Sequence, residues 1–119
     1  MGRKTYEEIG SPLCGRINIV LSKSMRYRDK NLITADSLDE AFAICNSNDV
    51  FAKKNIFICG GESIYREALD FADELYLSVL DKEYEGDVYF PEFDESLYKC
   101  VYKEYIEESI PYTFYRYVR

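Results

Sequence analysis

Histidine is absent from this chain, and its four cysteines, Cys14, Cys45, Cys59 and Cys100, stand far apart with no Cys-x-x-Cys pair. A zinc centre needs clustered imidazole and thiolate ligands, so no zinc site is expected, nor any other metal. The spacing makes no disulfide framework either. The cysteines read as buried free thiols in a reducing cytosol. No apolar run approaches the ~20 residues that span a bilayer, and no leader-peptide pattern opens the chain. Met1-Gly2 would suit a myristoylation start, but Tyr6 stands where that motif takes Ser or Thr. Internal repeats and low-complexity segments are also missing. The expectation is a soluble, cytoplasmic protein with no membrane partner.

What is present is enough for a packed core. Of 119 residues, 47% are apolar, and 12 tyrosines and 7 phenylalanines supply bulk. The length allows a single domain over residues 1–119. A net charge of −7 argues against nucleic acid as a partner. The charge is uneven: residues 1–30 hold seven basic and three acidic residues, and residues 31–119 hold eight and nineteen. A basic patch on an acidic chain suits a small anionic ligand, although a solvated charged face would read the same way.

The stretch Ile56-Phe57-Ile58-Cys59-Gly60-Gly61-Glu62-Ser63-Ile64-Tyr65 organises the rest. Its four apolar residues predict a strand buried on both faces. Two glycines then break it, and Glu62 to Leu69 resumes with helical spacing. Strand, Gly-Gly, helix is a phosphate-binding layout, because a backbone without Cβ atoms approaches a ligand closely and free N–H groups face an anion. A tight turn with no ligand fits those ten residues equally well.

Along the chain, residues 1–10 predict a short helix closed by Gly10. Residues 11–16 form a turn, 17–21 a strand, 25–31 a basic loop and 32–35 a second strand. Ser37-Leu38-Asp39-Glu40 is a capping box, with Ser37 capping the backbone and Glu40 reaching back. Leu38, Ala41, Phe42 and Cys45 then mark one buried helix face. Residues 74–80 predict a strong strand, and residues 85–91 a loop in which glycine and proline bracket an aromatic plug. Residues 98–106 and 112–118 predict a terminal antiparallel hairpin. Strands alternating with helices before a hairpin make an α/β domain with a mixed sheet.

Met1-Gly2-Arg3-Lys4-Thr5-Tyr6-Glu7-x-Ile9-Gly10, Pro12-Leu13-x-Gly15-Arg16-x-Asn18, Ser22, Gly60-Gly61-x-x-x-Tyr65 and Glu85-Gly86-Asp87-x-x-Phe90-Pro91 follow one another in order. In that order and spacing the chain resembles the dihydrofolate reductase family along its whole length. Riboflavin-pathway reductases share a Met-Gly-Arg-x-Thr-like segment, but they carry a Gly-rich, Pro-Leu-Phe-type loop late in the chain where this sequence has Glu85 to Pro91. The folate reading is preferred to that pterin/pyrimidine alternative.

The resemblance implies a mixed sheet flanked by helices with a C-terminal hairpin, and NADPH-dependent reduction of dihydrofolate to tetrahydrofolate in one-carbon metabolism. Gly60 and Gly61 would lie against NADPH, with Glu62, Ser63, Ile64 and Tyr65 opening the helix beside it. Gly2, Arg3, Lys4 and Thr5 match a cofactor-binding segment in which Arg3 and Thr5 hold phosphates. Leu21, Ser22 and Lys23 match the site of the adenosine 2′-phosphate, where charge-assisted hydrogen bonds select the phosphorylated cofactor. Arg16 matches the arginine that grips the glutamate-tail carboxylate of folate, which a planar guanidinium suits. Ile9 and Leu13 would line the aminobenzoyl cleft, Cys59 would face the pterin through its carbonyl, and Ser78 would support the pterin side.

The family also has features with no counterpart here, amounting to roughly its N-terminal quarter. These are a first strand, a mobile closing loop, a helix carrying the acidic residue of the substrate pocket, and the strand leading into Met-Gly-Arg. No catalytic residue is therefore assigned in this chain. Three readings stand: a reductase whose sequence is given from an internal methionine, a short chain that keeps nucleotide affinity without catalysis, or a half-enzyme completed by another polypeptide. In the family fold the absent strands flank the run Ile56–Cys59. The expectation is a gap or a new pairing beside it, exposed Phe57, Ile58 and Cys59, and a need for a complementing N-terminal segment or self-association through bare strand edges.

Overall fold

The computed structural model describes residues 1–27, 29–47, 54–81 and 90–119, and backbone contacts divide the chain into two compact units, Met1–Ala68 and Leu69–Arg119. The fold is mixed α/β, with a parallel strand pair in the first unit and an antiparallel sheet in the second.

In the first unit, α1 (Arg3–Ile9) ends where Gly10 takes φ +87°, donating its N–H to the Tyr6 carbonyl at 2.9 Å. A Cβ would strain that left-handed turn, which is why glycine stops the helix there. β1 (Asn18–Leu21) and β2 (Leu32–Ala35) pair in parallel, Asn18 opposite Leu32 and Leu21 opposite Ala35. α2 (Leu38–Asn46) begins at Ser37, whose Oγ accepts from the Glu40 N–H at 3.1 Å. The Glu40 carboxylate reaches back one residue beyond the cap, taking the Asp36 N–H at 3.0 Å. α3 (Glu62–Ala68) supplies the other half of the core: Leu38, Ile64 and Ala68 are buried together, with Leu21, Phe42 and Ile58 packed against them.

The expected strand Ile56–Cys59 does not form: residues 55–61 carry no strand pairing. Strand state needs a neighbour to complete its ladder, and no described backbone supplies one along 56–59. Burial fails with it: Ile56 is 48% and Phe57 67% exposed, Cys59 is exposed and Ile58 is half-buried. Phe57 and Cys59 are exposed as expected, whereas Ile58 is not, because it packs against the core of Leu38, Ile64 and Ala68. The expectation of buried thiols is also corrected, since Cys14, Cys59 and Cys100 are exposed and Cys45 is half-buried, all four free. Cys59 shares the fate of its bare run, and Cys100 lies in β4 (Lys99–Ile106), which is exposed along all but its last residue.

The second unit is a three-stranded sheet in the order β3-β5-β4, where β3 is Glu74–Leu80 and β5 is Tyr112–Val118. Glu74 faces Val118 and Leu80 faces Tyr112 across one edge of β5, and Ile106 faces Tyr112 across the other, with a register shift between Cys100 and Tyr102. A 3₁₀ turn, Glu95–Leu97, leads into β4, capped by Asp94. Tyr98 is buried, and its hydroxyl donates to the Leu69 carbonyl at 2.9 Å while accepting from Arg119 at 2.8 Å. Phe93 packs edge-on against Phe90, Tyr98 and Tyr117 at 5.8–6.1 Å between ring centroids. Of the predicted loop 85–91, residues 85–89 lie outside the described residues.

Candidate functional site

The site forms where the chain's first residues run between β1 and the glycine pair. Leu21 N–H donates to the Met1 carbonyl at 2.8 Å, and Gly2 bridges Leu21 in parallel. On its other side Gly2 N–H donates to the Gly60 carbonyl at 2.8 Å. The Met1 amino group donates to the Ile19 carbonyl at 3.0 Å, and its burial lowers its pKa.

Close backbone approach explains the glycines. A Cβ on Gly2 would lie 3.1 Å from Cδ1 of Ile64, tighter than ordinary packing allows. Gly60 has φ +108°, a conformation that side chains disfavour, and the Tyr65 ring lies 3.4–3.5 Å from where its Cβ would be. The Gly60–Gly61 peptide is cis. Thr5 Oγ1 lies 3.7 Å from the corresponding point on Gly61. Gly2, Thr5, Gly60, Gly61, Ile64 and Tyr65 are thus brought together from two segments, 2–5 and 60–65.

Around this floor stand the expected anion-binding groups. Arg3 Nη1 donates to Glu7 Oε1 at 3.2 Å, one helical turn on. Thr5, Lys4 and Lys23 form no side-chain hydrogen bond or ion pair among the described residues, and both lysines are exposed. Glu62 is tied to Arg66 at 2.7 Å, and Ser63 is exposed.

Ser22 is 7% exposed and is fixed on three sides. Its N–H donates to the Ala35 carbonyl at 2.9 Å, its Oγ accepts from Met25 N–H at 2.9 Å, and its carbonyl accepts from Arg26 at 3.0 Å. Arg26 is itself paired with Asp36. The Ser22 hydroxyl proton remains to be donated.

The loop carrying Leu13 and Arg16 is ordered by a residue to which sequence reasoning gave no role. Asn18 is buried at the start of β1; its Oδ1 accepts from Leu13 N–H at 2.8 Å and its Nδ2 donates to the Leu13 and Arg16 carbonyls at 3.0 and 3.2 Å. The only sequence signal was its place two residues after Arg16 in the family pattern. Arg16 is exposed and its guanidinium has no partner among the described residues. Leu13, Arg16, Leu21, Cys59 and Ile64 all line one cavity of about 530 Å³, between β1, α2 and the run 54–59, with no acidic side chain among the described residues of its lining. Ile9 is exposed and is not among that lining. Ser78 lies in β3 of the second unit, opposite Phe114.

The residues gathered here carry donors suited to anionic groups. Arg3, Lys4, Thr5, Ser22 and Lys23 offer cationic or hydroxyl donors, and the acids Glu7 and Glu62 are engaged by Arg3 and Arg66. Metal binding has no such support: no cluster of acid and thiol ligands occurs among the described residues.

A family model described as dihydrofolate reductase matches residues 1–119. This chain belongs to the dihydrofolate reductase family. It is 37% identical over 116 residues to dihydrofolate reductase of Bacillus subtilis (strain 168), covering 96% of this chain and 66% of the relative. It is 40% identical over 93 residues to dihydrofolate reductase type 3 of Salmonella typhimurium, covering 78% and 54%. It is 33% identical over 117 residues to dihydrofolate reductase of Staphylococcus haemolyticus, covering 97% and 68%. The chain therefore spans between about half and two thirds of the length of these relatives.

Proposed function

We propose that these residues form the cofactor-binding part of an NADPH-dependent dihydrofolate reductase, acting on 7,8-dihydrofolate in cytoplasmic one-carbon metabolism. The supporting observation is the convergence of Gly2, Thr5 and Gly60-Gly61 beside the Ser22–Lys23 turn in a chain of this family. When bound, NADPH supplies the hydride. Arg3 and Thr5 hold the phosphates against the glycine floor, and Ser22 with Lys23 takes the 2′-phosphate through charge-assisted hydrogen bonds. Arg16, without a carboxylate partner among the described residues, takes the glutamate-tail carboxylate of the substrate, with Leu13, Ile9 and Cys59 on the pterin and aminobenzoyl side.

Reduction also needs a proton delivered to the pterin, a contribution of about 10²–10⁴-fold when a side chain is placed for it. Among the described residues no acid lines the cavity that holds Leu13, Arg16 and Cys59. The 119 residues alone therefore bind cofactor without normal turnover, and the exposed Ile56–Phe57 run makes them self-associate or take up a complementing segment.

Equilibrium titration of the chain with NADPH and NADH tests the reading. NADPH binds more tightly, and Ser22→Ala with Lys23→Ala narrows the ratio; an unchanged ratio would place the 2′-phosphate elsewhere. Arg16→Leu weakens dihydrofolate by about 1.5–3 kcal/mol and leaves NADPH alone. Equal weakening of both ligands would make Arg16 structural.

A further inference from the structure

Two groups of the candidate cofactor site lie on different elements: Arg3 on α1, and Ser22–Lys23 in the turn after β1. One side chain outside both groups joins them. Tyr27 donates its hydroxyl to Glu7 Oε1 at 2.9 Å, the same oxygen that accepts from Arg3 at 3.2 Å. Its ring stands edge-on to Tyr6 of α1, 5.0 Å between centroids. Its backbone is gripped by β2, its N–H donating to Thr34 Oγ1 at 2.9 Å and its carbonyl accepting from that hydroxyl at 3.2 Å. The turn that Tyr27 closes is held at its other end by Ser22 on Ala35, and Arg26, next to Tyr27, donates to the Ser22 carbonyl and pairs with Asp36.

We propose that Tyr27 is a positioning residue for cofactor selectivity, fixing Arg3 through Glu7 and so holding Arg3 and the Ser22–Lys23 turn at one spacing. The inference rests on the reading of NADPH as the cofactor. A ligand with phosphates at both places must match that spacing; one lacking the 2′-phosphate meets only the Arg3 side. The shared Glu7 oxygen also limits how closely the carboxylate can neutralise Arg3, because part of its hydrogen-bonding capacity is spent on the phenol. Burial of the ring, then the Glu7 hydrogen bond, raise the phenol above its ordinary pKa, so it stays a donor across neutral pH.

The test compares cofactor affinities of the full chain by equilibrium titration. Tyr27→Phe keeps the ring against Tyr6 and both backbone bonds to Thr34, losing only the bond to Glu7. NADPH affinity is expected to fall about 3- to 10-fold, the range set by one hydrogen bond, and NADH affinity to fall by much less. The ratio of the two is independent of the folded fraction, so partial unfolding does not mimic the result. In a Glu7→Ala background, which removes the shared acceptor, the effect of Tyr27→Phe should shrink, as coupling through one side chain requires. An unchanged ratio, equal loss for both cofactors, or an undiminished effect in the Glu7→Ala background would each overturn the role given to Tyr27. A wild-type chain with no preference for NADPH would instead overturn the cofactor reading, and this inference with it.

Discussion

The two units solve opposite halves of the folding problem. Residues 69–119 have a continuous hydrogen-bonded ladder, every position of β3 paired with β5, yet Tyr76, Val79, Leu80, Val101, Tyr102 and Tyr105 remain exposed. Residues 1–68 bury Val20 completely and close Leu38, Ile64 and Ala68 into a core, yet leave the apolar run at 56–59 without a ladder. Backbone pairing and side-chain burial are thus separable. The first unit is held mainly by packing, the second by hydrogen bonds and rings, and mutations should sort accordingly.

The largest effect is expected from Ile64→Ala, which removes the centre of the first unit's core and costs about 2–5 kcal/mol. The comparison fails if Val79→Ala, on the exposed part of β3, costs as much in denaturant titration; it should stay within about 1 kcal/mol. Next comes Asn18→Ala, which strands the Leu13 N–H and two carbonyls, costing about 1–3 kcal/mol. Amide exchange at Leu13 should accelerate while β2 amides stay protected; uniform acceleration would show that Asn18 holds the whole unit and not just its loop.

Tyr98→Phe should cost about 1 kcal/mol, because its hydroxyl joins Arg119 to the carbonyls of Leu69 and Ala72. Faster exchange confined to residues 1–68 would contradict this assignment. The smallest effect is acid loss in the second unit. The Arg116 hydrogen bond lowers the Glu74 pKa below its ordinary 4.5, and Ser96 lowers Asp94 below 3.8. A carboxylate with a lowered folded pKa stabilises fully above its unfolded value and ceases to do so as pH falls through the folded one. Both groups are at the surface, so the loss is small, and Glu74→Gln should remove its share of the acid slope.

How much could be read beforehand follows the same division. Gly10 ending α1, Ser37 opening α2 and the two strands of the terminal hairpin are local signals, and each element formed where its residues placed it. Ile56–Cys59 has the composition of a buried strand, but burial depends on what lies opposite, which composition does not carry. The exposed state there was legible only from the family fold, as was the meeting of Gly2 with Gly60 across 58 positions. Tyr27 and Glu7 are 20 positions apart with no periodicity between them, so nothing in the sequence signalled their bond. The same holds for the amide of Asn18, whose partners lie five and two positions upstream.

That amide has a consequence for how this chain can change length. Asn18 takes both the N–H and the carbonyl of Leu13, so its side chain spans the loop like a caliper of fixed opening. One residue inserted or deleted between 13 and 18 would move Leu13 out of reach or turn its backbone groups away. The turn at 107–110, exposed and joining two strands that pair on their own, has no such gauge. Length variation should therefore be tolerated at the hairpin tip and rejected in the short loop that carries Arg16.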